Sequence, residues 1–350
     1  MANTGPTDRV PDRRSRASLL EVARAAAVSP QTASRVARGS DKVRPETRER
    51  VLAAMAELGY SPNHAARALR VGSFGVIGVI AHQLNRTGES RTIEAVVEAA
   101  GREQYSISLV DVETPSTADV SAAVHRLTHQ SIDGLMIIRA EDGTPPTLAL
   151  PPGLPVVVSD SRFVGHHPVV STDHRGGARL AVEHLLVLGH RTVHHLAGPA
   201  DSGSSRVRAE AWRHALRAAG REVPPVLRGD WSPESGYAVG RKVAGDPDVT
   251  AVFAANDEMA VGLMAAFADA GVAVPGDVSV VGFDDVALAG FLRPALTTVR
   301  QDFTVIGLNL VDLLVRQIRG EGSLDDEHLL VPAQLVIRSS TASPAPHRRP

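Results

Sequence analysis

Residues 19–70 read LLEVARAAAVSPQTASRVARGSDKVRPETRERVLAAMAELGYSPNHAARALR, and this stretch decides how the front of the chain folds. Ser18 stands before an apolar helical pattern with Glu21 three residues later, which predicts a helix that begins with a capping box. A second helix is predicted from Pro30, because Ser29 can cap it and proline is tolerated at the first helical position. Only a tight turn separates these two helices.

A third helix is predicted from Pro45 to Gly59, after the second has ended at Gly39. Its apolar residues are expected to form one stripe, made of Val51, Leu52, Met55 and Leu58. Three short helices, two of them joined by a tight turn, predict a helix-turn-helix domain over residues 18–61. The polar residues 1–17 before it predict a disordered tail.

A hinge helix and linker are predicted over residues 62–74. The segment HAARALR (residues 64–70) has little apolar surface, and a helix this short is marginal alone. We therefore expect it to fold only when it docks on another surface.

From Gly75 the pattern changes to alternating strands and helices. Continuous apolar runs such as GVIGVI (residues 75–80) and GLMII (134–138) are typical of buried parallel strands. The last run, HLLVPAQLVIR (residues 328–338), predicts one closing strand. This alternation predicts an α/β fold with helices on both faces of parallel sheets. About 265 residues are too many for one sheet, so two doubly wound subdomains are expected.

The charge of the chain is unevenly distributed. Residues 1–70 carry 13 Lys and Arg against 7 Asp and Glu, whereas the remainder carries 24 against 32. The total of −2 is therefore the sum of a front part at +6 and a remainder at −8. A basic head is expected to attract the phosphates of a nucleic acid, and an acidic body is expected to repel them.

Composition excludes several classes of protein. The absence of cysteine excludes disulfides and thiolate-bound metals, and no apolar run reaches the roughly 18 residues of a membrane span. The N-terminus is polar and Arg-rich without an apolar core, so we expect no signal peptide and a cytoplasmic protein. The adjacent pairs His166-His167 and His194-His195 point to opposite faces of a strand, so no metal site and no cofactor are predicted.

Residues 19–70 resemble the DNA-binding head and hinge of the LacI/GalR family of transcriptional regulators, and the resemblance continues to about Ser340. In the later part it is carried by HLAGP (195–199), GDWSPESGY (229–237), AANDEMAVGLMAA (254–266), VSVVGFDD (278–285) and PALTTVRQDF (294–303). The fold that this implies is a small all-α head on a periplasmic-binding-protein-like body of two subdomains.

The resemblance also implies where the body begins and ends. An effector-binding and dimerisation domain is expected over residues 75–340, with the chain crossing between its subdomains near residues 172, 300 and 330. Residues 341–350 are expected to form a disordered tail. The leucine heptads that form tetramers in one family member are absent here, which implies a homodimer.

The second predicted helix is implied to read the major groove of double-stranded operator DNA. There Gln31 can pair with adenine and Arg35 with guanine, while Pro30 offers only an apolar contact. The residues suited to phosphate contacts are Ser29, Thr32, Ser34 and Arg38. A single Gln or Arg at these places would more often mean a solvated helix face, so the prediction rests on the whole constellation. Two heads of a dimer would read a pseudo-palindromic operator.

The hinge is implied to act on the minor groove. Leu69 matches a leucine that inserts into a central base step and kinks the duplex. Ala66 would let two hinge helices approach closely, and Asn63 begins the segment that enters the groove. The alternative is that Leu69 packs on the body as an ordinary linker residue.

A small carbohydrate effector is implied for the body. Planar polar groups and an aromatic face are what a sugar site needs, and the residues that match ligand-contacting positions of the family are Ser90, Asp160, Arg208, Trp231, Asn256 and Asp284. For Trp231 a plain core position is the alternative, and for Asp284 a helix cap or an ion pair. Thr114 and Ile138 stand where polar sugar-facing groups are expected, so the effector can differ from that of other family members.

The sequence thus predicts a transcriptional repressor of carbohydrate-utilisation genes that a small sugar releases from its operator. A regulator that needs a corepressor is the alternative within the family. A sugar-binding transport protein would match the body but not the added head. An enzyme such as a glycosidase is not expected, because no matched motif supplies a paired acid and nucleophile, and G-x-S-x-G, Walker and G-x-G-x-x-G motifs are absent.

Overall fold

The computed structural model describes residues 17–37, 40, 42–60, 73–113, 116–138, 150–159, 167–322 and 324–345. The chain divides into two compact units, Met1–Phe74 and Gly75–Pro350, which we call the head and the body. The predictions made for the hinge helix lie outside the described residues, and so do those for Arg38, Asn63, Ala66, Leu69, Thr114 and Asp160.

The described part of the head contains three helices, α1 (Leu19–Ala25), α2 (Pro30–Ala37) and α3 (Pro45–Glu57). The capping box is confirmed, since Ser18 Oγ accepts from the Glu21 backbone N–H and the Glu21 carboxylate accepts from the Ser18 backbone N–H at 2.6 Å. Ser29 Oγ caps α2 by accepting from the Thr32 backbone N–H at 3.1 Å. The first two helix starts are therefore those that the sequence predicts.

The buried face of α3 in the head is narrower than the predicted apolar stripe. Val51 and Met55 are buried against α1 and α2, but Leu52 and Leu58 are 49% and 39% exposed, so only part of the predicted stripe is buried. The position that completes the buried face of α3 is Ala54. Leu52 lies about 100° around the helix from Val51, and a small alanine lets the other two helices approach.

The body contains two six-stranded sheets. The strands are β1 (Val76–His82), β2 (Ser106–Val112), β3 (Gly134–Ile138), β4 (Val156–Ser159), β5 (Val169–Thr172), β6 (His194–Ala197), β7 (Leu227–Arg228), β8 (Ala251–Ala254), β9 (Ser279–Asp284), β10 (Thr297–Arg300), β11 (His328–Val331) and β12 (Gln334–Val336). The first sheet has the strand order β11-β5-β4-β3-β1-β2 and the second β12-β10-β9-β8-β6-β7. All pairs are parallel except β10 with β12.

Helices cover both faces of each sheet. They are α4 (Thr87–Arg102), α5 (Thr117–His129), α6 (His174–Val187), α7 (Gly203–Ala218), α8 (Pro233–Val243), α9 (Asp257–Asp269) and α10 (Phe303–Ile318). On the first sheet, α4 and α10 cover one face and α5 the other. On the second, α8 and α9 cover one face and α6 and α7 the other. The predicted fold class, a small all-α head with two doubly wound subdomains, is confirmed.

The chain passes between the two sheets three times: after Thr172, after Arg300, and between Val331 and Gln334. The run HLLVPAQLVIR was predicted to form one closing strand, and this prediction was wrong. The run forms two strands, which lie in different sheets. Pro332 separates them, because proline cannot donate a ladder hydrogen bond. We call the part built on the first sheet the first subdomain and the other the second subdomain.

The start of the predicted disordered tail is docked instead. His184 Nε2 lies 3.0 Å from Thr341 Oγ1, and the Ala342 carbonyl accepts from Ser279 Oγ at 3.0 Å. These contacts join the end of the described chain to polar groups of the second subdomain. Among the described residues, no helix is long and apolar enough to cross a membrane.

Candidate functional site

Helix α2 presents the predicted DNA-reading residues on its exposed side. Ser29, Pro30, Gln31 and Arg35 are exposed, whereas Ala33 and Val36 on the opposite side are buried. The packing of one face against α1 and α3 thus leaves the other face of α2 to solvent. Because the cap fixes the first turn, the exposed side chains project from a defined helix end.

The remaining predicted residues of this helix are half-buried. Thr32 Oγ1 lies 2.9 Å from Ser29 Oγ, so the two hydroxyls form one polar group at the helix N-terminus. Ser34 lies next to the exposed face and is partly covered. A helix N-terminus that carries hydroxyl groups is suited to a phosphate.

The body contains a cleft of about 740 Å³ between its two subdomains. Residues of both subdomains line it: His82, Gln83, Asn85, Arg86, Thr87, Gly88, Glu89, Pro199, Asp201, Ser202, Arg208, Asp230, Trp231, Ser232, Pro233, Glu234, Asn256, Glu258 and Asp284. Most follow the carboxyl ends of parallel strands, where ligands of such sheets usually bind. A cleft of this size suits a small molecule.

Arg208 is the buried cation of the cleft. Its side chain is 2% exposed, and its guanidinium carbon lies 3.8 Å from the centre of the Phe283 ring. One terminal nitrogen donates to the Ala255 carbonyl, and the other lies 3.7 Å from Asp284 Oδ1. Stacking and ion pairing hold the planar guanidinium in one orientation, so it can present a fixed pair of donors.

Trp231 forms an aromatic wall of the same cleft. Its ring lies directly over Gly198, where a Cβ would approach Cζ2 to 2.5 Å. Its backbone has a φ of 77°, and its carbonyl accepts from Asn256 Nδ2 at 3.0 Å. The indole N–H is buried without a hydrogen-bond partner among the described residues. A buried donor of this kind is costly unless a bound molecule supplies an acceptor.

Asp284 ends β9 in a strained conformation, with a φ of 115°. Its Oδ1 accepts from Gln301 Nε2 as well as facing Arg208. Behind it lies Asp257, fully buried, whose pKa is raised well above its ordinary value by burial and then by the Asp284 carboxylate. Strain and close carboxyl groups are features that cluster at binding sites.

Similarity to known proteins is extensive. The profile of bacterial regulatory proteins of the lacI family matches residues 18–63, and that of the periplasmic binding protein-like domain matches residues 182–341. The lactose operon repressor of Escherichia coli (strain K12) is 36% identical over 335 residues, which cover 93% of this chain and 91% of that protein. The chain belongs to the LacI family.

Two solved structures extend the similarity to three dimensions. The lac repressor dimer bound to operator and the anti-inducer ONPF is 34% identical with a TM-score of 0.80, covering 93% of this chain and 99% of that chain. The complex of the transcriptional regulator CelR with cellobiose is 31% identical with a TM-score of 0.70, covering 93% and 100%. Like its relatives in the LacI family, the chain is a DNA-binding transcriptional regulator.

The structure of this LacI-family chain brings four of the predicted effector residues into one cleft: Arg208, Trp231, Asn256 and Asp284. It does not bring Ser90 there, because this residue is exposed on α4 and its hydroxyl donates to the Arg86 carbonyl at 3.0 Å. Ile138 is 2% exposed in the core of the first subdomain and therefore does not replace a cleft-facing polar group.

The first subdomain supplies lining residues that the sequence analysis missed, namely His82, Arg86, Thr87 and Glu89. His82 ends β1, and Glu89 is almost fully buried with its carboxylate 4.0 Å from Arg86 Nη1. The signal for His82 was present, since only Ala81 separates it from the apolar run GVIGVI, and it thus marks the carboxyl end of a buried strand. The positions after it carry no distinctive motif.

Proposed function

We propose that this LacI-family chain is a repressor whose cleft binds an uncharged saccharide. The observation that carries the proposal is the arrangement of Arg208, Asp284 and Trp231 in one cleft. The guanidinium and carboxylate can each bind neighbouring hydroxyl groups, and the indole offers both an apolar face and a buried N–H donor.

The charge of the described cleft residues supports a neutral ligand. Six of them carry carboxyl groups (Glu89, Asp201, Asp230, Glu234, Glu258 and Asp284), and the two arginines Arg86 and Arg208 each face one of these carboxylates. A phosphorylated or acidic sugar would add a further negative charge, which a site of this composition disfavours. That CelR, a relative, is described in complex with cellobiose agrees with this ligand class.

The repressor would act as a homodimer on a pseudo-palindromic operator in the cytoplasm, as the lac repressor is described as a dimer bound to operator. In each protomer Gln31 and Arg35 would read bases, and Pro30 would make an apolar contact. Phosphate contacts would come from Ser29, Thr32, Ser34 and Arg38. Asn63, Ala66 and Leu69 would engage the minor groove. Asp160 would bind the saccharide together with the four cleft residues. The bound saccharide would not be hydrolysed.

Ligand and operator would be coupled through the two subdomains. A saccharide that touches both sides of the cleft favours one relation of the subdomains, and the operator favours another through the hinge. Binding coupling is reciprocal, so operator must weaken saccharide binding by the same factor. The proposed sign is induction, in which the saccharide releases the DNA.

The test begins with a DNA duplex that the protein selects from a random pool. Fluorescence anisotropy measures the binding of this duplex, and calorimetry measures the binding of mono- and disaccharides. A binding saccharide is expected to lower duplex affinity by about 5- to 150-fold, the usual range of allosteric coupling. Arg208→Gln should lose the saccharide while retaining the duplex, and Arg217→Gln, on the exposed side of the same helix, is the matched control.

The outcomes separate the alternatives. If no saccharide changes duplex affinity in either direction, the proposal is wrong. If a saccharide raises duplex affinity, it is a corepressor. Turnover of aryl glycosides would indicate an enzyme instead. For the hinge, unchanged affinity and unchanged bending in Leu69→Ala would overturn the wedge role of this leucine.

A further inference from the structure

Helix α5 carries a pair of histidines one turn apart, far along the sequence from the cleft residues. His125 Nε2 and His129 Nε2 lie 3.3 Å apart, and their ring centroids are 4.3 Å apart at an interplanar angle of 75°. Both side chains are exposed. At this spacing two side chains project from the same face of a helix, so the proximity follows from the sequence HRLTH.

The separation of the two nitrogens matches that of two ligands on one metal ion. Zinc binds imidazole nitrogen at about 2.0–2.1 Å in tetrahedral geometry, which places two ligand nitrogens about 3.3 Å apart. A 90° angle, as in square-planar Cu²⁺, would need about 2.9 Å, a change that a small ring rotation supplies. Without metal this contact is a hydrogen bond between the two Nε2 atoms, and the tautomer with both protons on Nδ1 presents two lone pairs that one cation can share.

The helix holds this pair in place without further folding. Ser116 caps α5 by accepting from the Asp119 backbone N–H at 3.2 Å. On the opposite face Val124 and Leu127 are buried against the first sheet. Since the backbone between the two histidines is fixed by this packing, binding a metal needs little ordering of the chain.

Three other histidines of the described body are held by their surroundings. His82 Nδ1 lies 2.8 Å from the Val112 carbonyl, His190 contacts Thr250 and Ser279, and His195 is fully buried. Within the described ranges no cluster of three or more His, Cys, Asp or Glu residues suited to a metal is found. Among the described residues, this site therefore has two imidazole ligands, and water molecules would supply the remaining ligands of the metal ion.

We propose that His125 and His129 form a surface site for a divalent transition metal ion, Zn²⁺, Ni²⁺ or Cu²⁺. Affinity should follow the order that holds for nitrogen ligands, with Cu²⁺ the strongest. The metal links the last two turns of α5 and thereby stabilises the first subdomain.

The test titrates untagged full-length protein with the chloride salts of the three metals by calorimetry, at neutral pH. Wild-type protein is compared with His125→Ala and His129→Ala. Each substitution is expected to reduce the affinity of one metal equivalent by at least about tenfold, because a chelating pair becomes a single ligand. The control is His214→Ala, which removes an exposed histidine from α7 and should bind metal as the wild type does.

Melting curves give a second readout. At a metal concentration near 100 times Kd, wild-type protein should melt about 5 °C higher than without metal, and both variants should lose this shift. Without metal the variants should melt as the wild type does, since alanine is a good helix former. A shift that survives in either variant, or an unchanged stoichiometry and affinity, would overturn the proposal. Metal-dependent association beyond the dimer that vanishes in both variants would support it and show that another copy adds ligands.

Discussion

Thr87 donates a hydrogen bond from its Oγ1 to Oε1 of Glu258 and so joins the two subdomains across the cleft. Thr87 begins α4 in the first subdomain, and Glu258 lies in the first turn of α9 in the second. The other carboxylate oxygen of Glu258 accepts from Asn256 Nδ2 at 2.8 Å, and the same amide donates to the Trp231 carbonyl at 3.0 Å. A continuous set of hydrogen bonds thus connects the first subdomain to the aromatic wall.

Removing the hydroxyl at position 87 should weaken effector binding. A hydrogen bond to a charged group contributes about 1.5 kcal/mol, so Thr87→Val should raise the effector Kd about tenfold. Calorimetry with the saccharide found by screening measures this. Thr87→Ser keeps the hydroxyl and should bind as the wild type does; equal affinities in the valine and serine variants would contradict a role for this bond.

A methyl group at position 198 should displace the indole of Trp231. An added Cβ would lie 2.5 Å from Cζ2 and 2.6 Å from Cε2 of the ring, closer than real contacts allow. Gly198→Ala should therefore reduce effector affinity by at least about tenfold, which corresponds to about 1.4 kcal/mol. The change can be followed by tryptophan fluorescence, because the chain has two tryptophans and only Trp231 lines the described cleft.

The matched control is Gly245→Ala, since a Cβ there meets nothing within 4 Å. This variant should keep both the fluorescence spectrum and the effector affinity of the wild type. A Gly198→Ala protein with unchanged affinity would mean that the position of the indole does not matter for binding.

The sequence predicts most of the fold because long periodic segments carry most of it. The apolar runs that form β1 and β3 are continuous, and their predicted limits agree with the structure to within two residues. The strands Val169–Thr172 and Thr297–Arg300 were missed, because serine, threonine and arginine make up at least half of each and leave no continuous apolar run. Pro332 itself indicates the split of the final run, because proline cannot donate a hydrogen bond inside a sheet.

The candidate site is predicted less evenly. Trp231, Asn256 and Asp284 lie in matched motifs at strand or helix ends, whereas Arg208 lies within α7; all four line the cleft. Ser90 failed to reach it, because a serine inside a helix can bond the carbonyls of its own preceding turn. Thr87 and Glu258 could not be paired from sequence, since 171 residues separate them and only the packing of the two subdomains brings them together.

The exposed face of α2 should determine operator sequence. Gln31→Ala and Arg35→Ala should each weaken binding of the selected duplex by about 1–3 kcal/mol and relax the preference for one base pair. Arg50→Ala removes a charge from the exposed part of α3 and should leave the base preference unchanged. Competition between duplexes that differ at single positions measures both effects, and an unaltered base preference in both α2 variants would exclude base reading by this helix.

Acid should destabilise the body through His195. Burial lowers the pKa of this imidazole to about 3, and it stacks on Phe253 with a centroid distance of 4.8 Å. The folded state therefore keeps His195 neutral while the unfolded chain takes up a proton below about pH 6.5. The stability that this group contributes is present above pH 6.5 and is lost as the pH falls towards 3. The expected loss is about 2 kcal/mol at pH 5.

Urea unfolding followed by tryptophan fluorescence at pH 8, 6.5 and 5 measures the loss, since Trp212 lies 5.3 Å from the His195 ring by centroid distance. His195→Phe should be less stable at pH 8, because the hydrogen bond to the Phe253 carbonyl is gone, but its stability should fall less between pH 6.5 and 5. Burial also lowers the pKa of His184, His190 and His194, so part of the slope should remain. His214→Gln, on an exposed surface, should keep the full slope, and a His195→Phe slope equal to that of the wild type would assign the acid sensitivity to other groups.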